Sequence, residues 1–395
     1  MDQQLPPSWR ARAIEILTDV FAGLDGQHHL RLCQDPSPLV RARAAWSCGY
    51  YMADDHARRT LAVYLDDKNA MVARQALEAV LRRAADGPLD VELPSIVRHL
   101  SSEDRFIRTA AAHVVSRCDA ESRQAIENLV PLDDLTGQLT LLLAATLAEN
   151  QLDAEAFHRA IYILARAERP SQHREATLLA YRALGGLGRS GWPPAFDGYS
   201  CRQTPASAGV TALLETMFPT GNREVDHELA RLAGILAARS SRLLERISAQ
   251  LRADSDPLDD IHLLSVLARI PSDRQTAQRE RIAQTLIGLD AKIQARGMQQ
   301  DRNWDTRIFE IYQRLTEQDP LLPAAVVRQK EFGAPGHALF ARRLQGTILQ
   351  RAAKTFAKRI RDDDDYGWNP DVVFVLARSD NPLHRRLVRQ QFKDY

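Results

Sequence analysis

Three segments in the first third of this chain share one short pattern at nearly constant spacing. They read Asp35-Pro-Ser-Pro-Leu-Val40-Arg41-Ala-Arg43-Ala44, Asp67-Lys-Asn-Ala-Met-Val72-Ala-Arg74-Gln-Ala76 and Ser102-Glu-Asp-Arg-Phe-Ile107-Arg108-Thr-Ala-Ala111. The apolar anchors Val40, Val72 and Ile107 lie 32 and 35 residues apart, and an alanine follows each by four residues, one helical turn on. A unit of this length cannot bury its apolar face alone, so copies must stack. The chain is therefore expected to be all-α, an α-solenoid of helix pairs whose turns carry the Asp35, Asp67 and Glu103–Asp104 residues.

Apolar residues recur at three- and four-residue spacings along nearly all of the 395 residues, and period-two β-branched runs are hard to find. Residues 8–22 predict an opening helix that caps the first repeat, with Trp9, Ile14, Leu17, Val20 and Phe21 on one side. First helices are expected to end near Cys33, Leu65 and Leu100, which makes Cys33 a small core residue in the leucine column. Further helices are predicted near 120–129, 135–149, 154–168 and 173–184. The segment 185–205, with Gly185, Gly186, Gly188, Gly191, Pro193, Pro194, Gly198 and Pro205, breaks the pattern. It reads as a loop or hinge whose Trp192, Phe196 and Tyr199 either pack back on the helices or face a partner. Helices resume over 206–217, 223–237, 240–252, 258–269, 274–295, 303–317 and 346–361, with two short ones closing 369–395. The expected organisation is thus a repeat array over 1–184, the 185–205 break, and an irregular helical array over 206–395.

Composition removes several classes of function. Lys+Arg 52 against Asp+Glu 51 leaves a formal net charge of +1, so no field of one sign draws the whole molecule to nucleic acid or membrane. Residues 1–118 hold 15 basic and 15 acidic side chains, against the strongly positive face that DNA wrapping needs. Residues 341–395 hold 12 basic and 7 acidic side chains, a net of +5, and are the place where an acidic partner would dock. The four cysteines, Cys33, Cys48, Cys118 and Cys201, form no CxxC and no CxxCH. No apolar run reaches the about 18 residues of a membrane span, and residues 1–9 lack a signal peptide's basic start and apolar core.

The sequence carries little that resembles catalysis. The eleven histidines show no repeated metal-ligand spacing; Asp226-His227-Glu228 occurs once, and Asp362–Asp365 lacks calcium-loop spacing. Gly185-Gly-Leu-Gly188 follows no strand, so it is no dinucleotide loop. No cofactor or metal is implied. The constellations left are Arg41, Arg43, Arg74 and Arg108 on successive second helices, and Trp46, Tyr50 and Tyr51 on the first of them. The arginines would either form a ladder for carboxylates or phosphates or, for Arg41 and Arg108, bond the turn aspartates Asp35, Asp67 and Asp104.

The repeated Asp, Val or Ile, Arg and Ala pattern resembles the HEAT-repeat superfamily over about 26–184. A second resemblance lies in Phe218-Pro-Thr-Gly-Asn-Arg-Glu-Val-Asp226-His-Glu-Leu-Ala-Arg231, Asp260-Ile-His262-Leu-Leu-Ser-Val-Leu-Ala-Arg269, Trp304 and Phe332-Gly-Ala-Pro335-Gly336-His337. These are similar to the helical region of large planctomycete-type secreted proteins that carry a dehydrogenase-like propeller and a CxxCH cytochrome module. This chain has neither module, so neither haem nor oxidoreductase activity transfers; the likeness implies an exported parent in which the region is a spacer. Without it, a cytoplasmic protein fits residues 1–9 equally. The expected function is non-enzymatic, a scaffold for a protein partner bound through Arg43, Arg74, Trp46, Tyr50, Trp192 and Tyr199. The alternatives are an accessory domain of a larger exported redox or hydrolytic protein and, disfavoured by charge, a nucleic-acid enzyme built of such repeats.

Overall fold

A computed structural model describes residues 4–21, 23–50, 55–83, 91–149, 154–184, 192–201 and 208–391. Among them every regular element is a helix, as the missing period-two pattern requires. They divide into two compact units, Met1–Ala183 and Leu184–Tyr395. Tyr51 and most of the 185–205 break (185–191 and 202–205) lie outside the described residues.

The first unit is a two-row stack. One row consists of α1 (Pro7–Val20), α3 (Pro38–Ser47), α5 (Ala70–Arg83), α7 (Arg105–Arg117) and α9 (Leu135–Glu149), each packed on the next. The other consists of α2 (Gly26–Leu32), α4 (Asp55–Leu65), α6 (Leu93–Leu100) and α8 (Ala120–Leu129). The pair α10 (Ala154–Leu164) and α11 (Pro170–Ala183) follows on α9. The repeated alanines explain the first row: Ala44, Ala76 and Ala111 are fully buried between neighbouring helices, where a larger side chain would hold the axes apart. Val40, Val72 and Ile107 fill the space beside them.

The turns repeat in atomic detail. Asp35 Oδ1 accepts from the Ser37 amide at 2.9 Å, Asp67 Oδ1 from the Asn69 amide at 2.8 Å, and Ser102 Oγ from the Asp104 amide at 3.2 Å. The first and third of these turns are then gripped by an arginine from the helix that each starts. Arg41 donates to the carbonyls of Asp35 and Pro36, and Arg108 to those of Ser102 and Glu103. The far ends of these guanidiniums reach onward: Arg41 to Asp67 of the next turn at 2.6 and 3.1 Å, Arg108 to Glu175 on α11 at 2.7 Å. Arg10 on α1 does the same, bonding the Leu5 carbonyl five residues back and Asp35 ahead. Arg41 was expected to bond a turn aspartate and does; Arg108 bonds Glu175 rather than Asp104. At the equivalent place on α5 the residue is Ala73, so the series skips one repeat.

A second set of bonds joins α2 to α4 and α4 to α6 within the other row, and α6 to α9 across the rows. The last carbonyls of a helix lack partners within it. Here His29 O accepts from Tyr64 Oη at 3.2 Å, Leu65 O from His99 Nε2 at 2.9 Å, and Leu100 O from Thr140 Oγ1 at 2.7 Å. Burial lowers the His99 pKa, which keeps the ring neutral with its one hydrogen on the nitrogen facing the carbonyl.

Two expectations about side-chain direction are corrected. α1 turns Arg10, Ala11, Ile14 and Thr18 inward, while Trp9, Val20 and Phe21 are each about two-thirds exposed (69%, 67% and 66%). The Arg10–Asp35 contact sets that rotation, because α1 occupies the place of a second helix rather than of a cap. Cys33 packs against the core as expected but is only half-buried, just beyond the end of α2 and bonded to the Leu30 carbonyl, and the buried positions of that helix are Gly26, His29 and Leu32.

The second unit contains α12 (Ala208–Met217), α13 (Arg223–Ile235), α14 (Ser241–Ser248), α15 (Pro257–Leu267), α16 (Thr276–Ala295), α17 (Trp304–Gln318) and α18 (Leu322–Arg328). A 3₁₀ stretch over Pro335–Ala341, then α19 (Gly346–Asp362), α20 (Pro370–Ala377) and α21 (Pro382–Gln391), complete it. Alternate packing persists, α13 on α15 on α17 and α14 on α16 on α18, but helix lengths run from 7 to 20 residues. Arginine and lysine struts recur without a common register: Arg279 to Asp319 at 2.7 Å, and Lys292 to the fully buried Asp260 at 2.6 Å. α18 and the 3₁₀ stretch have no counterpart in the sequence reading, since both are short and open on a proline, Pro323 or Pro335.

Arg10 and Asp35 are 3% and 4% exposed. Arg10→Met is expected to destabilise the first unit by about 3–5 kcal/mol, because Asp35 is left charged and buried. Arg74→Ala, which removes a half-exposed pair with Glu78, is expected to cost less than about 1 kcal/mol. Urea unfolding followed by circular dichroism measures both.

Candidate functional site

Of the side chains singled out by the sequence, Arg43, Trp46 and Tyr50 come together. They lie along α3 and the residues just after it, and α5 adds a fourth member, Arg82. The guanidinium carbon of Arg43 lies 5.2 Å from the centre of the Trp46 ring, Trp46 and Tyr50 are 4.8 Å apart, and Arg82 lies 4.4 Å from the Tyr50 ring. Cation and ring therefore alternate across two repeats, each pair within the range of cation–π attraction. Arg43 is steadied from α1 by Glu15 at 3.0 Å. Gly49 makes the approach of Arg82 possible: a Cβ there would sit 2.6 Å from Arg82 Nη1 and 3.0 Å from the Ala79 backbone. Arg82 Nη1 is buried with no hydrogen-bond partner among the described residues, so the Tyr50 ring face is its main compensation. Tyr50 is 46% exposed and presents the outer end of the stack to solvent.

Arg74 belongs elsewhere. It pairs with Glu78 at 2.8 Å and lies 5.4 Å from the Phe106 ring, which Arg105 also approaches at 4.8 Å. The reason is register: counted from the anchors Val40 and Val72, Arg43 stands three positions on and Arg74 two, about 100° apart on a helix. A ladder of arginines does not form, and Arg41 and Arg108 are occupied in the turns.

Phe106 has repeat equivalents that the sequence reading passed over. Leu39, Met71 and Phe106 each precede a buried anchor by one residue, and they are exposed by 39%, 43% and 52%. The spacing that identified the anchors identifies these as well: an apolar residue beside every anchor, one position around the helix and hence outside the core. A row of such residues at one position of successive second helices is not needed for packing.

In the second unit Trp192 and Tyr199 serve to hold their own segment. Trp192 lies between Arg269 at 3.8 Å and Arg314 at 4.9 Å, edge-on to the buried Phe196. Arg269 Nε also donates to the Tyr199 carbonyl at 3.0 Å; burial and the Arg314 charge lower its pKa to about 10, still protonated at neutral pH. Tyr199 Oη lies 2.7 Å from His262 Nδ1, and His262 stacks on His227 at 4.4 Å, which reaches Asp259 at 2.9 Å. These contacts fasten residues 192–201 to α13, α15 and α17 and leave both aromatics half-buried.

The single Asp226-His227-Glu228 run lies in the same region, and its groups turn away from one another. Asp226 accepts from the Thr220 and Gly221 amides, His227 faces Asp259, and Glu228 pairs with Arg231. Burial, then the neighbouring His227 and Arg231 charges, push His262 down to about 3. A neutral, buried imidazole bonded to a phenol that burial holds protonated has no substrate-facing partner with which to exchange a proton.

The family of HEAT repeats matches residues 29–116, which is α2 through α7. No curated protein matches the chain. Among solved structures, an engineered protein matches at 14% identity over 94% of this chain and 98% of its own, with a TM-score of 0.40.

His262 gives the second unit a pH dependence of known sign. The unfolded chain binds a proton at His262 below pH about 6.5 while the folded chain does not until about 3, so stability falls as pH drops through that window. His262→Gln is expected to remove up to about 1.4 kcal/mol per pH unit of that loss. Urea unfolding of both proteins between pH 7 and pH 5, about the range where carboxylates stay ionised, measures the difference in slope.

Proposed function

We propose that the HEAT repeats of residues 29–116 are the binding part of a non-enzymatic scaffold, and that they hold a protein partner along the second helices. HEAT repeats generally serve as protein-interaction scaffolds, and the stacking that builds them leaves a long surface of repeating composition. The observation that carries the reading is the row Leu39, Met71 and Phe106, exposed apolar side chains at one position of three successive repeats. Aromatics and arginines are the side chains that dominate contact energies in protein interfaces, and Trp46, Tyr50, Arg43 and Arg74 flank this row. Rigidity favours the same role: the Arg43–Trp46–Tyr50–Arg82 stack is held before any partner arrives, so little side-chain entropy is lost on binding. Nucleic acid fits poorly, since Arg41 and Arg108 are already bonded within the turns and Arg43 and Arg74 already have carboxylate partners.

Met71→Ser/Phe106→Ser alters only exposed side chains. It is expected to leave the melting temperature unchanged within a few degrees, since surface substitutions cost about 0.5 kcal/mol or less. In affinity capture from cells of the source organism, quantified by mass spectrometry against wild type, at least one protein is expected to fall about tenfold or more. Tyr50→Ala should deplete the same protein. Identical capture profiles from wild type and both variants would sink the reading.

A further inference from the structure

The helices α19 and α21 flank an open cavity of about 630 Å³, within the second unit. Its wall on α19 is Gln350, Lys354, Ala357 and Arg361, a single stripe at four-, three- and four-residue steps. The opposite wall, on α21, includes Arg386, Leu383 and Leu387. No aspartate or glutamate lines it. The three cations are exposed; among the described residues none of them pairs with a carboxylate, and Arg361 Nε donates to the Ala357 carbonyl at 3.1 Å.

The floor is rigid and neutral. His384 is 7% exposed, bonded through Nδ1 to Ser379 Oγ at 2.9 Å, and burial followed by the Arg361 charge lowers its pKa. Ser379 Oγ in turn donates to Gln350 Oε1 at 3.0 Å, which ties α19 to the residues before α21. The four aspartates Asp362–Asp365 follow the stripe at the exposed end of α19, but they are outside the cavity and make no ion pair with its cations.

We propose that this cavity binds an acidic peptide segment of a protein partner. Lys354, Arg361 and Arg386 would receive its carboxylates, and an apolar side chain of the segment would lie against Ala357, Leu383 and Leu387. The volume is that of a ligand site rather than of a packing defect. Lys354 and Arg361 stand two turns apart, about 10.5 Å along the axis, the distance between residues i and i+7 of a helix laid in a groove. The mixed lining decides between occupants: leucines beside the cations suit a peptide with both acidic and apolar side chains, and the lining has no Phe, Tyr or Trp on which a nucleic-acid base could stack, its one ring, His384, being 7% exposed. The site lies in the other unit from the Leu39–Met71–Phe106 row, so it stands or falls separately.

The probe is a fluorescein-labelled peptide of glutamates and leucines with helical spacing, read by anisotropy on the full chain at low and raised salt. A lysine-and-leucine peptide and a single-stranded DNA of equal charge serve as controls. The acidic peptide is expected to bind and the basic one not. Lys354→Glu/Arg361→Glu should weaken it about tenfold or more, Leu387→Ser about fivefold, and Lys354→Arg/Arg361→Lys should retain it within about twofold. Met71→Ser/Phe106→Ser should leave it unchanged, so a failure in the first unit and a failure here are told apart. No binding of the acidic peptide, equal binding by the charge-reversed variant with unchanged thermal unfolding, or tighter binding of the DNA would each overturn the proposal.

Discussion

The first unit depends on how its turns are held. A helix pair leaves carbonyls without partners at the end of one helix and a strained, polar turn before the next. One arginine answers both problems here, since its guanidinium bonds the carbonyls of its own turn and the carboxylate of the following one. Arg10 with Asp35 and Arg41 with Asp67 are two such links, and Arg108 with Glu175 extends the device across a longer gap. Because Asp35 and Asp67 also accept from the amide two residues on, turn shape and repeat spacing are set there by the same atoms. Asp67 shows the balance: burial acts to raise its pKa, yet Arg41 and the Asn69 amide together bring it below the usual carboxylate range. The Arg10–Asp35 and Arg41–Asp67 pairs are largely removed from solvent and bonded at both ends, the condition under which a buried ion pair specifies geometry at tolerable cost.

That arrangement also determines which side chains are left for function. Arginines consumed in turns cannot meet a ligand, so Arg41 and Arg108 are removed from consideration, and Arg43 and Arg74 face different neighbours. The side chains that packing does not require are those one position off the anchors, together with the Arg43–Trp46–Tyr50–Arg82 stack. In the second unit the same economy is seen in reverse. Arg279 and Lys292 are spent on Asp319 and Asp260, while the exposed Lys354, Arg361 and Arg386 between α19 and α21 are left without an acid among the described residues.

Much of the helix content was legible in the sequence, because strong periodicity reports the element directly. The helices predicted over 120–129 and 135–149 coincide with α8 and α9, and the expected first-helix ends at Leu65 and Leu100 are where α4 and α6 stop. Periodicity failed where it was ambiguous or too short. On α1 the apolar residues lie on more than one face, and no count of them reveals that Arg10 must point inward to reach Asp35, 25 residues on. α18 is only 7 residues long, below the length at which a three-to-four spacing can repeat. Cys33 was misplaced by one position because α2 ends a residue earlier than its relatives, and the Leu39, Met71 and Phe106 row was readable from the same alignment that gave the anchors.

By itself, the sequence determined that this protein is helical, that residues 29–116 match HEAT repeats, and where most of its helices begin and end. Those are consequences of local spacing, which a single chain carries in full. Only the tertiary structure decided which arginines are bonded to their own turns, that Trp192 and Tyr199 fasten a segment instead of facing outward, and that Lys354, Arg361 and Arg386 surround one cavity. Such facts depend on contacts between residues tens of positions apart, and on one-position differences of register that turn a side chain by about 100° around its helix. Composition and motif are blind to both.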